Sequence, residues 1–91
     1  MRYKRYVVEW HREAAKQWRD IRDPSLREEI LKIIEETLAV DPMAGKPLSG
    51  PFVGVRSYRL GVIRIVYKPY KGRLVIVILR VEHRKSVYRL H

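Results

Sequence analysis

The chain has 91 residues, 46% hydrophobic and 33% charged, with 20 Lys/Arg against 10 Asp/Glu and no cysteine. That length supports one domain, here spanning residues 1–91, with one modest core, and the balance is that of a globular rather than a disordered chain. Without cysteine there is no disulfide framework, thiol nucleophile or thiolate metal site.

Tyr3 to Val8 mixes aromatic and β-branched residues, which predicts a short strand. Trp10, Ala14, Ala15, Trp18 and Ile21 recur at helical spacing, predicting a helix from Trp10 to Ile21. Arg22-Asp23-Pro24 breaks it; Asp23 is suited to cap a new helix and Pro24 to its first position. Leu26, Ile30, Ile33, Ile34, Thr37 and Leu38 mark the apolar stripe of that second helix, read from Pro24 to Val40, with Glu28 and Glu29 near its positive end. Asp41-Pro42 stops it. The short link makes the two helices an antiparallel hairpin whose stripes need a sheet as their other wall.

Pro42 to Gly54, with three prolines and three glycines, reads as a loop. Three strands follow: Val55 to Leu60, Ile63 to Lys68 and Arg73 to Val81. Gly61-Val62 and Pro69-Tyr70-Lys71-Gly72 are the predicted turns between them. Leu74 to Leu79 is apolar at every position, as in a central strand buried on both faces. Glu82 to His91 is left open between a loop and a single helical turn. The expected fold is α+β in the order β-α-α-β-β-β. An antiparallel meander packs against the N-terminal αα-hairpin, with the first strand at an edge and one sheet face left for function.

Charge is unevenly spread. Arg56 to His91 holds ten of the Lys/Arg and one acid, Glu82, whereas Met1 to Val55 holds ten Lys/Arg and nine acids. A strand-rich basic segment dominated by arginine points to phosphate, and so to nucleic acid; the plainer reading is a solubilising surface. No apolar run approaches the roughly 18 residues of a membrane span. Met1-Arg2-Tyr3-Lys4-Arg5-Tyr6 with only Val7-Val8 behind it is not a signal peptide. A cytoplasmic location with no membrane partner is therefore expected.

Four segments carry a family likeness: Ala14-Ala15-Lys16-Gln17-Trp18-Arg19-Asp20-Ile21, Leu48-Ser49-Gly50, the run Arg56 to Tyr67, and Val81-Glu82-His83-Arg84-Lys85-Ser86-Val87-Tyr88. With the strand-helix-helix-meander order they resemble the RelE/ParE superfamily of toxins, RelE-like branch, over nearly the whole chain. That resemblance implies a type II toxin neutralised by a co-expressed antitoxin. In the RelE branch the activity is ribosome-dependent cleavage of messenger RNA; in the ParE branch it is inhibition of DNA gyrase without nuclease activity. It matches Arg59, Arg64, Arg84 and Tyr88 to functional positions and Arg56 to a further basic one. The hairpin here is shorter by about two residues than in familiar RelE proteins, and Glu82 stands where the family tail commonly has glycine, beside Arg84.

Metal-free RNA cleavage uses the 2′-hydroxyl as nucleophile and needs a base, an acid and cations for the phosphate. Arg59, Arg64 and Arg84 are the candidate cations, Tyr88 a base-stacking group, and His83 the acid or base, since imidazole titrates near neutrality. Arg56, Lys68, Lys85 and Arg89 are candidate RNA contacts. Each has a bland alternative: the arginines as solvated strand and tail residues, Tyr88 as a seal on the core edge, His83 as a surface residue. Trp18 is core or an antitoxin contact. His11 reads as structural. The histidines lack metal-ligand spacing, no phosphate-cradling glycine loop precedes a helix, and no cofactor is implied. The expected function is a ribosome-dependent endoribonuclease toxin whose partners are an acidic antitoxin, the ribosome and messenger RNA, with self-pairing when alone. The alternatives are a gyrase inhibitor and a non-catalytic RNA-binding module.

Overall fold

A computed structural model describes residues 5–83. Strand β1 (Val7–Trp10) leads into α1 (Arg12–Arg19) and α2 (Pro24–Ile33), followed by a π-helical turn, Ile34–Leu38, and a 3₁₀ turn, Pro42–Ala44. Strands β2 (Lys46–Pro47), β3 (Arg56–Leu60), β4 (Ile63–Tyr70) and β5 (Val75–His83) complete a five-stranded sheet in the order β1-β5-β4-β3-β2.

The α+β architecture is the expected one. β2 to β5 form an antiparallel meander and β1 lies at the edge. Two features differ from expectation. β1 runs parallel to β5, with Val7 opposite Val75 and Trp10 opposite Ile78, so the sheet is mixed. The proline-rich loop also contributes the two-residue edge strand β2, paired to Ser57 and Arg56; Pro47 is tolerated there because an outermost strand has no ladder bond to lose on its open side.

Element boundaries moved for physical reasons. β1 reaches Trp10, which the helical spacing had assigned to the first helix. Tyr6, Val8 and Trp10 alternate inward toward the core while Arg5, Val7 and Glu9 face solvent, so period two prevails. The first helix begins only after His11, whose Nδ1 accepts from the Glu13 amide at 3.1 Å. Asp23 caps α2 as expected, accepting from Ser25 and Leu26, with Pro24 at its first turn. The second helix widens before its end: the Ala39 amide reaches back five residues to the Ile34 carbonyl at 2.9 Å. That extra residue in the turn lets Ile34, Leu38 and Ala39 all be buried. β4 continues through Pro69 and Tyr70, which pair with Ile76 and Val75, so the turn falls at residues 71–74. The β3 ladder ends at Arg56 opposite Tyr67, so Pro69 removes no β3 bond.

The core lies between the helices and one sheet face. Ala14, Ile30, Ile34 and Leu38 meet Ile63, Ile65, Tyr67, Ile76, Ile78 and Val81. β5 carries one extra residue between its pairings Arg80–Val66 and Ile78–Tyr67, a β-bulge at Leu79. The bulge switches the strand's alternation, so Ile76, Ile78 and Val81 all point inward. Ile76 and Ile78 are fully buried toward the helices, whereas on the run expected to be buried on both faces Val75 is buried but Val77 and Leu79 are only half-buried. None of the described helices is long and apolar enough to cross a membrane.

Tyr67 fastens the loop to this core. Its ring is fully buried, and its hydroxyl donates to the Pro42 carbonyl at 2.7 Å and accepts from the Gly45 amide at 2.8 Å. Arg56 Nε holds the Gly45 carbonyl at 2.9 Å. A β-carbon on Gly45 would stand 2.6 Å from the Ser57 carbonyl oxygen, closer than real contacts allow. Burial raises the Tyr67 phenol above its ordinary value of 10.0, against the lowering effect of the Gly45 amide and Arg56.

Tyr67→Phe leaves a buried amide and carbonyl unpaired and is expected to cost about 1–3 kcal/mol in urea unfolding. Because the folded phenol titrates above the unfolded one, its stabilisation is complete below about pH 10 and is lost as pH rises through the folded value. The wild-type minus Tyr67→Phe stability difference should therefore shrink in alkali; a difference that grows with pH contradicts this assignment. Gly45→Ala should destabilise by about 1–3 kcal/mol through overpacking against backbone, read in the same experiment.

Candidate nucleic-acid interface

Inward packing of β4 residues Ile63, Ile65 and Tyr67 sends Arg64, Val66 and Lys68 to the face away from the helices. Directly paired residues share a face, so Arg59, opposite Arg64, and Glu82, also opposite Arg64, join it. Arg80, opposite Val66, lies on the same side because of the Leu79 bulge. The outer face thus carries Arg59, Arg64 and Arg80 from three consecutive strands, with Glu82 among them.

Glu82 binds two of these arginines. Its Oε1 accepts from Arg64 Nε and Nη2 at 3.1 and 2.8 Å, and its Oε2 accepts from Arg80 Nε at 3.0 Å. The Glu82 side chain is 15% exposed, against 45% for Arg64 and 42% for Arg80. Arg59 is exposed and makes no hydrogen bond or ion pair among the described residues. Farther along the face Tyr70 lies under two cations, Lys68 Nζ at 5.2 Å and the Arg73 guanidinium at 5.5 Å from its ring centre.

Arg56, His83 and Trp18 lie elsewhere. Arg56 faces the helix side and is engaged by loop carbonyls, Gly45 at 2.9 Å and Met43 at 3.3 Å, so its guanidinium serves the loop anchor and stands apart from the outer-face cluster. His83 pairs with Ile63 and so takes the helix-side face, opposite Arg59 and Arg64. It borders an open concavity of about 620 Å³ between β5 and the α1–α2 corner, with Gln17, Ile21 and Leu26. That concavity lies where β1 stops at Trp10 opposite Ile78, leaving the end of β5 without a neighbour strand on the side away from β4. Gln17 Oε1 substitutes for the missing strand there, accepting from the Val81 amide at 2.8 Å. Trp18 is committed to the helix hairpin: its Nε1 donates to the Arg27 carbonyl at 3.0 Å, its ring stands edge-on to Trp10 at 6.2 Å, and the Arg27 guanidinium lies 5.8 Å above it. It also lines a small apolar recess with Trp10, Ala15, Arg19 and Leu31. Arg84, Lys85, Tyr88 and Arg89 lie outside the described residues.

Sequence reasoning passed over Arg80 and Gln17. A signal for Arg80 existed: Arg80 and Glu82 are two apart in a strand and therefore on one face. Nothing local marks Gln17, whose partner is 64 residues away. Among the described residues no three His, Asp or Glu side chains gather as a metal site.

The chain matches the family described as ParE toxin of type II toxin-antitoxin system, parDE, over residues 8–88. It is 40% identical to Toxin RelG of Mycobacterium tuberculosis over 53 residues, which are 57% of this chain and 61% of that relative, less than two thirds of its length. Its fold is similar to that in a crystal structure of the toxin–antitoxin complex RelBE2 from Mycobacterium tuberculosis, with a TM-score of 0.81, 28% identity, and coverage of 91% of this chain and 98% of that one. The isolated Escherichia coli RelE toxin gives a TM-score of 0.71 at 22% identity, covering 92% and 97% of the two chains, a likeness of fold alone. A match covering residues 8–88, together with helices and a mixed sheet that superpose on such toxins, places this chain in the ParE toxin family of the RelE/ParE superfamily, the toxins of type II toxin–antitoxin systems.

Proposed function

We propose that this toxin is a ribosome-dependent endoribonuclease acting on messenger RNA. The observation that supports it is the cross-strand arginine row, Arg59–Arg64 with Arg80, on the sheet face the helices leave open. In the proposed reaction the RNA 2′-hydroxyl attacks the adjacent phosphorus and the bond to the 5′-oxygen breaks. The 2′-hydroxyl gives up its proton, the 5′-oxygen gains one, and a cyclic phosphate results. Arg59 and Arg64 stabilise the extra negative charge on the phosphoryl oxygens, a task suited to planar guanidinium donors. The family resemblance gives Arg84 and Tyr88 the roles of a further cation and a base-stacking group. Lys68, Lys85 and Arg89 hold flanking phosphates. His83 faces the opposite side of the sheet from Arg59 and Arg64, so the described geometry favours the cationic part of this chemistry over an imidazole acid. Weak acid–base machinery is consistent with dependence on the ribosome, which orients the message.

The partner proposed is an acidic antitoxin. The RelBE2 relative was solved as a toxin–antitoxin complex. An antitoxin whose acids cover the arginine row neutralises the face it would share with RNA. The Trp10–Trp18 recess offers a shallow apolar contact for its helix.

A second reading, inhibition of DNA gyrase, is kept because the matching family is described by its ParE toxin.

Primer-extension mapping on translated messages tests the first reading. Wild type should produce new 5′ ends, and Arg64→Ala and Arg59→Ala should each lower cleavage by roughly 10²–10³-fold, the range for removing one preorganised transition-state donor. Cleavage unaltered in both variants sinks the assignment. Inhibition of supercoiling by purified gyrase, with no cleavage of translated messages, establishes the second reading in its place.

A further inference from the structure

Glu82 is the one acid in the basic half of the chain, and it sits among the cations of the outer face. A carboxylate in that place has two possible effects. It can occupy the arginines in place of phosphate, or it can set them for phosphate. The geometry distinguishes the two. Glu82 is less exposed than either arginine, 15% against 45% and 42%, so an incoming anion meets guanidinium before carboxylate. Arg64 engages only its Nε and one Nη2 hydrogen, and Arg80 only its Nε. The remaining donors of both planar groups have no partner among the described residues. The two arginines use different carboxylate oxygens, so a single side chain holds two like charges side by side that would otherwise separate. Two cations and one anion leave one net positive charge, equal and opposite to that of a phosphodiester.

We propose that Glu82 is a positioning residue that joins Arg64 and Arg80 into one cradle for a backbone phosphate of single-stranded RNA. The inference rests on the reading of the outer face as the RNA face, and it adds Arg80 to that face as a phosphate contact. The Leu79 bulge is what makes it available, by turning Arg80 and Glu82 outward.

The test uses the full-length protein and a short 2′-O-methyl RNA oligonucleotide, which cannot be cut by 2′-hydroxyl attack, with binding read by fluorescence anisotropy across a salt series. Simple charge counting says that Glu82→Gln, which makes the protein more positive, tightens binding. The cradle says the reverse: Glu82→Gln should weaken binding by about 5–10-fold, as expected for losing a charge-assisted contact geometry. Glu82→Asp, which keeps the carboxylate, should retain most of the affinity. Arg80→Ala should weaken binding and lower the salt slope by about one. Binding that is unchanged or tighter in Glu82→Gln overturns the proposal, as does wild-type protein that fails to bind the oligonucleotide. Since the probe reports binding alone, loss of message cleavage with the cradle effect intact would sink only the nuclease reading, and the converse result only the cradle.

Discussion

Burial of Ile63, Ile65 and Tyr67 against the helices fixes which way the central strand β4 faces, and the rest of the molecule is arranged around that choice. A one-residue slip would turn three large apolar side chains outward, each giving up about 1.5–3 kcal/mol of burial. Register in β4 is therefore strongly specified. Because paired residues share a face, it also decides the orientation of Arg59 on one side and Glu82 on the other. The outer-face cation row is a by-product of core packing rather than of any local arginine motif.

Two polar devices let a small core hold irregular chain in place. The Tyr67 hydroxyl and Arg56 together satisfy both backbone groups of Gly45, so the loop after the second helix is fixed to the sheet without apolar bulk of its own. Gln17 supplies an acceptor to β5 beyond the end of β1, where an unpaired amide would otherwise be left at the sheet edge. Both devices lie on the helix side or at the edge. The outer face is left to Arg59, Arg64, Arg80, Lys68 and the cation-flanked Tyr70. Separation of structural polar groups from exposed cations is what distinguishes Arg56 from Arg59 and Arg64, although all three look alike in the chain. The same separation divides His83 from the arginines it was expected to join.

Much of this was legible beforehand. Asp23-Pro24 announces the start of α2, the apolar stripes announce a helix pair needing a sheet, and the alternation of Tyr58 and Leu60 with Ser57 and Arg59 in β3 suits a strand with one wet face. The misplaced boundaries have a common cause: short segments satisfy more than one period. Trp10 fits both the helical spacing of Ala14 and Trp18 and the strand alternation of Tyr6 and Val8. Burial on β5 settled the matter in favour of the strand. Pro69 and Tyr70 carry turn-forming character, yet pairing with Ile76 and Val75 outweighs it.

The amino-acid sequence by itself determined the α+β class, the Asp23 cap of α2 and the concentration of positive charge in the basic segment from Arg56 onward. These follow from local propensity, short-range periodicity and composition. It did not determine where Arg80 and Glu82 point. Strict alternation from the inward Ile78 would send both toward the helices, and only the bulge at Leu79 turns them out. Nor did it determine the parallel pairing of β1 with β5 or the support Gln17 gives the Val81 amide. Each of these depends on pairing between segments far apart in the chain, and pairing partners are chosen by the packing of the whole core.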